Sequence, residues 1–321
     1  MRLSAATIDR LPEHVVRPDY ARLGQRIGIG TFMRTHQEVF TDRAMVASDR
    51  DRDRSIVGAS LRSAAVCDTL APQDELFTVT ENDADGARTG LSGSVRDEAP
   101  VLTELLAQWV IEDELVGRGQ RRDTAGTEIL ADVAPYETAK LRVLNGARSA
   151  LAYLGLQFGL SYVHEAIADL VIGPSVERLM RDEAAASVDP ASGQDLTAYA
   201  DALLVRFANP TPRHALRQIA SEGSQKISQR WLASLEANRA RGRTCPETLS
   251  ARAASMLHGR GDGRAVDHPR ASELAAAWNS AGRDSIVDAV VGERGLLAGT
   301  RRPRLRDRAI LAEKLAAFDR R

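Results

Sequence analysis

The stretch from Pro135 to Gly155, PYETAKLRVLNGARSALAYLG, constrains the fold more than any other part of this sequence. Its apolar residues recur every three or four positions, which predicts an amphipathic helix with one side buried in a core. Proline is typical of the first position of a helix and glycine of the position just past its end, so we expect the helix to run between these two residues. The apolar stripe consists of Leu141, Leu144, Ala147, Leu151 and Leu154.

Three polar residues, Lys140, Asn145 and Arg148, interrupt this apolar stripe. At about 1.5 Å of rise per residue they span roughly 12 Å of the helix axis, so one small substrate lying along the helix can contact all three. Asparagine and glycine are both weak helix formers, and we therefore expect the Asn145–Gly146 pair to loosen the middle of the helix. This helix is the first candidate for a functional site.

Length and charge restrict the class of protein. A chain of 321 residues is long enough for two domains, and a formal net charge of −1 gives no electrostatic bias toward nucleic acid or membrane partners. Cys67 and Cys245 lie far apart and outside any CxxC pattern, so we expect neither a disulfide framework nor a metal site. No apolar window reaches the roughly 20 residues that span a bilayer, and no secretion signal is evident, so we expect a cytoplasmic protein.

Strand and helix signals alternate only in the first hundred residues. Gly28 and Gly30 lie between a short apolar strand and a helix expected from about Thr35, an order that suits either a phosphate-binding turn or a plain tight turn. Further strands are expected at 55–60, 76–80 and 91–95, the last two joined by a hairpin turn. From Leu102 onward the pattern is helical, starting within ELLAQWVIEDELVG, and we expect a boundary at 98–100.

Two short patterns resemble those of short-chain dehydrogenases. Tyr136 and Lys140 form a YxxxK pattern, and Gly24, Gly28 and Gly30 form a GxxxGxG pattern. In that family the glycines follow a buried apolar strand, whereas the residues before Gly24 are polar and include a proline. The alternation of strands and helices also stops well before the YxxxK pattern, so we do not adopt this interpretation.

Five blocks resemble, in the right order, those of the polyol-specific long-chain dehydrogenases, the family of mannitol 2-dehydrogenase, D-arabinitol dehydrogenase and fructuronate reductase. The segment YETAKLRVLNGARSALAYLG is similar to the signature helix of that family, in which Lys, four residues, Asn, two residues and His follow one another. GIGTFMRTHQ resembles its GxGxFxRAHQ block. The other blocks are LRSAAVCDTLAPQDELFTV, QWVIEDEL, and RFANP with RQIASEGSQKISQR. The resemblance runs from about residue 3 to at least residue 235.

The resemblance implies an α/β plus all-α protein. A truncated Rossmann-like, dinucleotide-binding part at 1–100 would precede a mainly helical substrate domain at 101–321. The implied activity is a metal-independent interconversion of a secondary alcohol and a ketone, with NAD or NADP as cofactor and an open-chain sugar alcohol or hexuronate as substrate. The substrate pairs of this type are mannitol with fructose and mannonate with fructuronate. Which polyol or uronate is used, and which of the two cofactors, stay open.

The same resemblance assigns roles to individual residues. Lys140 would be the general base or acid, and Asn145 would donate a hydrogen bond to the developing alkoxide. Gly28, Gly30 and Phe32 would line the site of the cofactor pyrophosphate. The residues expected to hold the substrate are Asn209, Arg217 and Lys226.

Three departures from the family pattern shape the functional expectation. Arg148 replaces the histidine of the signature helix; it can bind an oxygen or a carboxylate but cannot relay a proton. Met33 replaces another histidine. The interval between Val95 and QWVIEDEL is short, so less than half of the nucleotide-binding domain is expected, with weak cofactor binding and impaired activity. The alternative is a non-catalytic remnant or protein-interaction module, either monomeric or self-associating through its truncated sheet.

Overall fold

The computed structural model describes residues 23–25, 33–47, 55–57, 63–73, 77–83, 86–88, 97–104, 108–114, 122–221, 223–261, 266–292, 294–297 and 305–318. The chain divides into two compact units, Met1–Val133 and Ala134–Arg321. The described residues of the first unit form short strands and helices, and those of the second form helices and one isolated β-bridge. The expected class, α/β followed by a helical part, is confirmed. No described helix combines the length and apolar character needed to cross a membrane.

The first unit begins with a strand–helix–strand arrangement. Strand β1 (Leu23–Gln25) is parallel to β2 (Ser55–Val57), and between them in sequence lie a π-helical turn (Met33–Gln37) and helix α1 (Glu38–Ala47). As the glycine-rich segment predicts, a strand precedes Gly28 and helical structure includes Thr35, and β2 lies within the strand expected at 55–60. The glycines themselves, Gly28 and Gly30, and Phe32 lie outside the described residues.

The remaining strands of the first unit belong to two further small sheets within the described residues. In one, β3 is antiparallel to β4 and parallel to β5, and in the other β6 is parallel to β7. The elements are α2 (Ala65–Leu70), β3 (Val79–Asp83), β4 (Gly86–Arg88), β5 (Val101–Glu104), β6 (Val110–Glu112) and β7 (Glu128–Leu130). The strand expected at 91–95 lies outside the described residues.

The prediction of a helix that starts after Leu102 is wrong, because the described residues of that stretch form β5 and β6. Both strands contain a β-branched residue beside a large apolar one, Val101 with Leu102 and Val110 with Ile111, a combination that suits a pleated sheet. At three to four residues the strands are too short to show a period of two. The start of the helical part therefore lies later than the sequence indicates.

The segment around Ala99, where we expected a domain boundary, is fixed inside the first unit. The Asp97 carboxylate accepts hydrogen bonds from Nε2 of the fully buried Gln73 at 2.8 Å and from the backbone N–H of Thr78 at 2.6 Å. Arg34 Nη1 donates to the Ala99 carbonyl at 2.6 Å. These contacts join residues 97–99 to Arg34, just before α1, and to Thr78, just before β3. The two units accordingly separate after Val133 instead of near residue 100.

The second unit is built from helical segments in sequence. They are α3 (Ala134–Ala139), a π-helical segment (Lys140–Asn145), α4 (Gly146–Gln157), α5 (Val163–Ala168), α6 (Ile172–Arg178), a π-helical segment (Leu179–Ala184), α7 (Leu196–Ala208), α8 (Leu216–Ala220), α9 (Gly223–Ile227), a π-helical segment (Ser228–Leu232), α10 (Ala233–Ala240), α11 (Pro246–His258), α12 (Ala271–Val291) and α13 (Leu305–Phe318). Helix α12 is broken at Gly282, whose φ is 63°.

The central helix predicted at 135–155 is confirmed, but it continues to Gln157. Gly155 lies inside it and does not mark its end. A Cβ atom at Gly155 would lie 2.5 Å from Leu216 Cδ1 and 3.1 Å from Ala166 Cβ, so the glycine lets α8 and α5 approach the helix closely. The turn after the helix instead uses Gly159, whose φ is 76°.

Glu183 joins two parts of the second unit through a buried carboxylate. Only 3% of the residue is exposed. Its Oε1 accepts the backbone N–H of Glu247 at 2.8 Å, and its Oε2 accepts the N–H of Thr248 at 2.8 Å and the hydroxyl of Thr248 at 2.6 Å. These donors belong to the first turn of α11, where backbone N–H groups lack partners within the helix. Burial raises the pKa of Glu183 to about 7 even though the three donors act in the opposite direction.

We expect the free energy of unfolding to fall as the pH rises from 4.5, the ordinary pKa, to about 7. In this interval the folded chain keeps a proton on Glu183 that the unfolded chain has already lost; below it both states are protonated and above it both are ionised. The measurement is urea unfolding followed by tryptophan fluorescence at several pH values. Glu183→Gln removes this slope, whereas Glu313→Gln, at an exposed position of α13, keeps it. An identical slope in Glu183→Gln would contradict the assignment.

Candidate functional site

The candidate residues Lys140 and Asn145 are the first and last residues of a π-helical segment. Lys140 is exposed and Asn145 is half-buried, whereas Val143 and Leu144 between them are buried. The segment is thus anchored by its apolar residues and presents polar groups at both ends. Single π-helical turns inside α-helices often occur at functional sites, because the wider turn displaces side chains from regular helical positions.

Trp231 holds the end of this segment. Its indole Nε1 donates to the Gly146 carbonyl at 3.0 Å, and only 1% of the residue is exposed. The Gly146 carbonyl belongs to the residue directly after Asn145, so this bond fixes the backbone that carries the candidate amide. On another side of the segment, Arg142 Nη1 donates to the Ser187 carbonyl at 2.6 Å.

Arg148 is half-buried in the first turn of α4, and an arginine from a later segment contacts the residue after it, Ser149. Arg230 Nη1 donates to the Ser149 hydroxyl at 2.7 Å. Burial lowers the pKa of Arg230, and the nearby Tyr153 partly offsets this effect. The sequence analysis assigned no role to Arg230, although it is the last residue of the RQIASEGSQKISQR block.

Helical segments that carry or adjoin the expected substrate residues pack against the central helix. Helix α7, which ends next to Asn209, packs on the segment 140–145, and α8, which carries Arg217, packs on α4. The π-helical segment that follows Lys226 also packs on 140–145. A common site for these side chains remains a prediction.

The individual side chains differ in their surroundings. Asn209 Oδ1 accepts the backbone N–H of Thr211 at 3.0 Å, which is a turn contact just after α7. Arg217 is exposed. Lys226 is half-buried, and its Nζ donates to the Ser221 carbonyl at 2.7 Å. Asn209 and Lys226 therefore contribute to the local backbone structure as well as being candidates for substrate contact.

The expected cofactor residues Gly28, Gly30 and Phe32 lie outside the described residues, but the strand before them and the helical turn after them are described. A parallel β1–β2 pair connected through α1 is the arrangement in which a dinucleotide-binding turn occurs, with the turn between the first strand and the helix. Across the described part of the chain, no three His, Cys, Asp or Glu side chains are grouped so that they could hold a metal ion. Cys67 and Cys245 are free thiols.

Comparisons with known proteins match this architecture. Residues 132–305 match the family model described as the mannitol dehydrogenase C-terminal domain. The D-mannonate oxidoreductase of Escherichia coli (strain K12) is 44% identical over 142 residues, which cover 43% of this chain and 28% of the relative. A mannitol 2-dehydrogenase of Phaeosphaeria nodorum is 30% identical over 272 residues, covering 80% of this chain and 48% of the relative. Both matches thus span less than half of the relative's length.

Solved structures show the same fold at low sequence identity. The Pseudomonas fluorescens mannitol 2-dehydrogenase, in a ternary complex with NAD and D-mannitol, has a TM-score of 0.80 and 20% identity, with 99% of this chain and 97% of that chain covered. A D-sorbitol dehydrogenase in substrate-free form has a TM-score of 0.79 and 16% identity, with 98% and 97% covered. Because the family model alone covers residues 132–305 of 321, the chain belongs to the mannitol dehydrogenase family.

Proposed function

We propose that this chain is an NAD-dependent dehydrogenase that interconverts a secondary alcohol and a ketone on a sugar alcohol or a hexuronate. Membership of the family and relatives named mannitol 2-dehydrogenase and D-mannonate oxidoreductase support this proposal. The observation that carries it is the π-helical segment that places Lys140 and Asn145 at its two ends, held on the central helix of the second unit.

Each polar residue of the segment has a chemical role in this proposal. Lys140 takes the proton of the substrate hydroxyl during oxidation and returns it during reduction. The Asn145 amide donates a hydrogen bond to the same oxygen as negative charge develops on it. Arg148 supplies a permanent positive charge next to this pair, which favours a substrate carboxylate over a neutral polyol end.

The cofactor contributes hydride transfer when it is bound. Gly28, Gly30 and Phe32 would hold its pyrophosphate, because they lie between β1 and the helix that starts at Met33. We also propose that cofactor binding is weak. The strands described in the first unit form three separate sheets of two, three and two strands, whereas a doubly wound dinucleotide site uses one continuous sheet with a topological switch point.

Lys140→Met provides the first test. We expect kcat to fall by about 10²- to 10⁴-fold, the usual contribution of a general acid or base, with little change in stability because Lys140 is exposed. The control is Lys314→Met on α13, which removes the same charge outside the candidate site. Equal, measurable activities of the two variants would contradict the catalytic role of Lys140. No activity in either variant or in the unaltered chain would favour the alternative function, a non-catalytic module.

Two tryptophan variants separate positioning from stability. Trp231→Phe removes the indole donor to Gly146, and Trp278→Phe removes an equivalent donor to the Met256 carbonyl, also at 3.0 Å. We expect both to lower the free energy of unfolding by about 1–3 kcal/mol, because each removes a hydrogen bond of a buried indole together with part of its packing. Only Trp231→Phe is expected to lower kcat, by roughly ten-fold or more, since it alone releases the backbone next to Asn145. Equal kcat values would show that Trp231 is merely structural.

Cofactor and substrate are tested directly with the full chain. NADH is titrated by fluorescence, and its oxidation is then followed with fructose and with fructuronate. We expect a dissociation constant in the millimolar range and faster turnover with fructuronate, because Arg148 favours a carboxylate. Micromolar binding with fast turnover would contradict the weak-cofactor proposal alone. Micromolar binding without turnover of either ketone would contradict the proposed substrate class.

A further inference from the structure

A small cavity in the second unit contains a buried arginine and two histidines. It lies between α4, α11 and the segment that follows α11, it is partly open, and its volume is about 30 Å³. That volume corresponds to roughly two water molecules. The polar lining residues are Tyr153, Arg252, Ser255, His258 and His268. The proposed catalytic residues Lys140, Asn145 and Arg148 do not line it, so it is distinct from the candidate site.

Arg252 brings a positive charge into this cavity, and no described residue that lines the cavity supplies a carboxylate. Only 6% of the residue is exposed, and within the described part of the chain its guanidinium has one hydrogen bond, from Nη1 to the Ser255 hydroxyl at 3.3 Å. Burial lowers the pKa of Arg252 to about 10, so the side chain stays protonated at neutral pH. A buried charge without an ionic partner is costly, and arginines are rarely left in this state.

His268 adds a second donor that lacks an acceptor. Its Nδ1 accepts the backbone N–H of Arg270 at 2.9 Å, so the neutral ring carries its proton on Nε2. Burial lowers the pKa of His268, and the charges of Arg270 and Arg252 lower it further, which keeps the ring neutral. Its Nε2 is buried and has no hydrogen-bond partner among the described residues. The cavity therefore contains two hydrogen-bond donors, the Arg252 guanidinium and the His268 ring, that can bind a further acceptor.

The other lining groups do not neutralise Arg252. Burial raises the pKa of Tyr153 to about 12, so its hydroxyl is uncharged, and that hydroxyl donates to the Ala220 carbonyl at 2.9 Å. The His258 ring packs against the Tyr153 ring at a centroid distance of 5.5 Å. No aspartate or glutamate occurs among the described residues that line the cavity.

We propose that this cavity binds a small monoanion, the size of chloride or formate, between the Arg252 guanidinium and Nε2–H of His268. The volume excludes a sugar or a dinucleotide, and a single positive charge suits a single negative one. Such an ion satisfies both donors at once and removes the cost of an unpaired buried charge. Its binding therefore stabilises the folded second unit independently of catalysis.

The thermal test uses the full chain in sodium chloride, sodium formate and sodium isethionate at equal ionic strength. We expect chloride or formate to raise Tm in a saturable manner, by about 2 °C relative to isethionate, which is too large for the cavity. Arg252→Gln removes this difference. Arg294→Gln, which makes the same charge change at an exposed position, keeps it.

A direct test needs no variant and therefore holds even if Arg252→Gln fails to fold. Crystals of the unaltered chain are grown or soaked in sodium bromide, and anomalous scattering locates the bromide. The proposal requires both an anomalous peak beside Arg252 and a saturable Tm difference. An empty or water-filled cavity, or equal Tm values in all three salts, would overturn it.

Discussion

The close packing of other helices around α4 is the constraint on which the second unit depends. Residues Gly146, Ala147 and 149–155 of this helix are all buried, so it has almost no solvent-facing side. Small side chains make this possible, because α5, α8 and α11 can approach its backbone without leaving gaps. A helix enclosed in this way can neither rotate nor slide along its axis. The polar segment 140–145, which continues directly into α4, is therefore fixed in the same way.

The candidate site lies at the start of this rigidly packed helix. The residues with proposed chemistry lie just before or within the first turn of α4, where the helix leaves its enclosed part and where Trp231 fixes the backbone. Precise positioning accounts for much of the rate of a proton-transfer enzyme, and a site on a packed helix is held more firmly than one on a loop. In the proposed reaction, the exposed Lys140 and the half-buried Asn145 would contact the substrate from a support that does not have to be ordered on binding.

The sequence predicted the central helix and the buried positions Leu144, Ala147, Leu151 and Leu154, since its apolar residues repeat with helical spacing over some twenty residues. It predicted only one buried side, whereas α4 is buried nearly all round and Leu141 is half-buried. It could not predict the strands β5 and β6, because three or four residues are too few to show a period of two. Gly155 was misplaced at the helix end because a glycine marks a close approach as readily as a terminus. Arg252 was missed as well, because an arginine among apolar residues is expected to face solvent, and its burial depends on packing from distant parts of the chain.

The π-helical segment 140–145 also has a consequence for how the site tolerates change in chain length. A π-helical turn contains one residue more than the corresponding α-helical turn, so losing one residue there would restore regular i→i+4 bonding. Because the wider turn already takes up the extra residue, the helix before it would keep nearly the same rotation after such a loss. The deletion would instead bring Lys140 and Asn145 from five to four positions apart, so it would change their spacing while α3 and α4 stay in register.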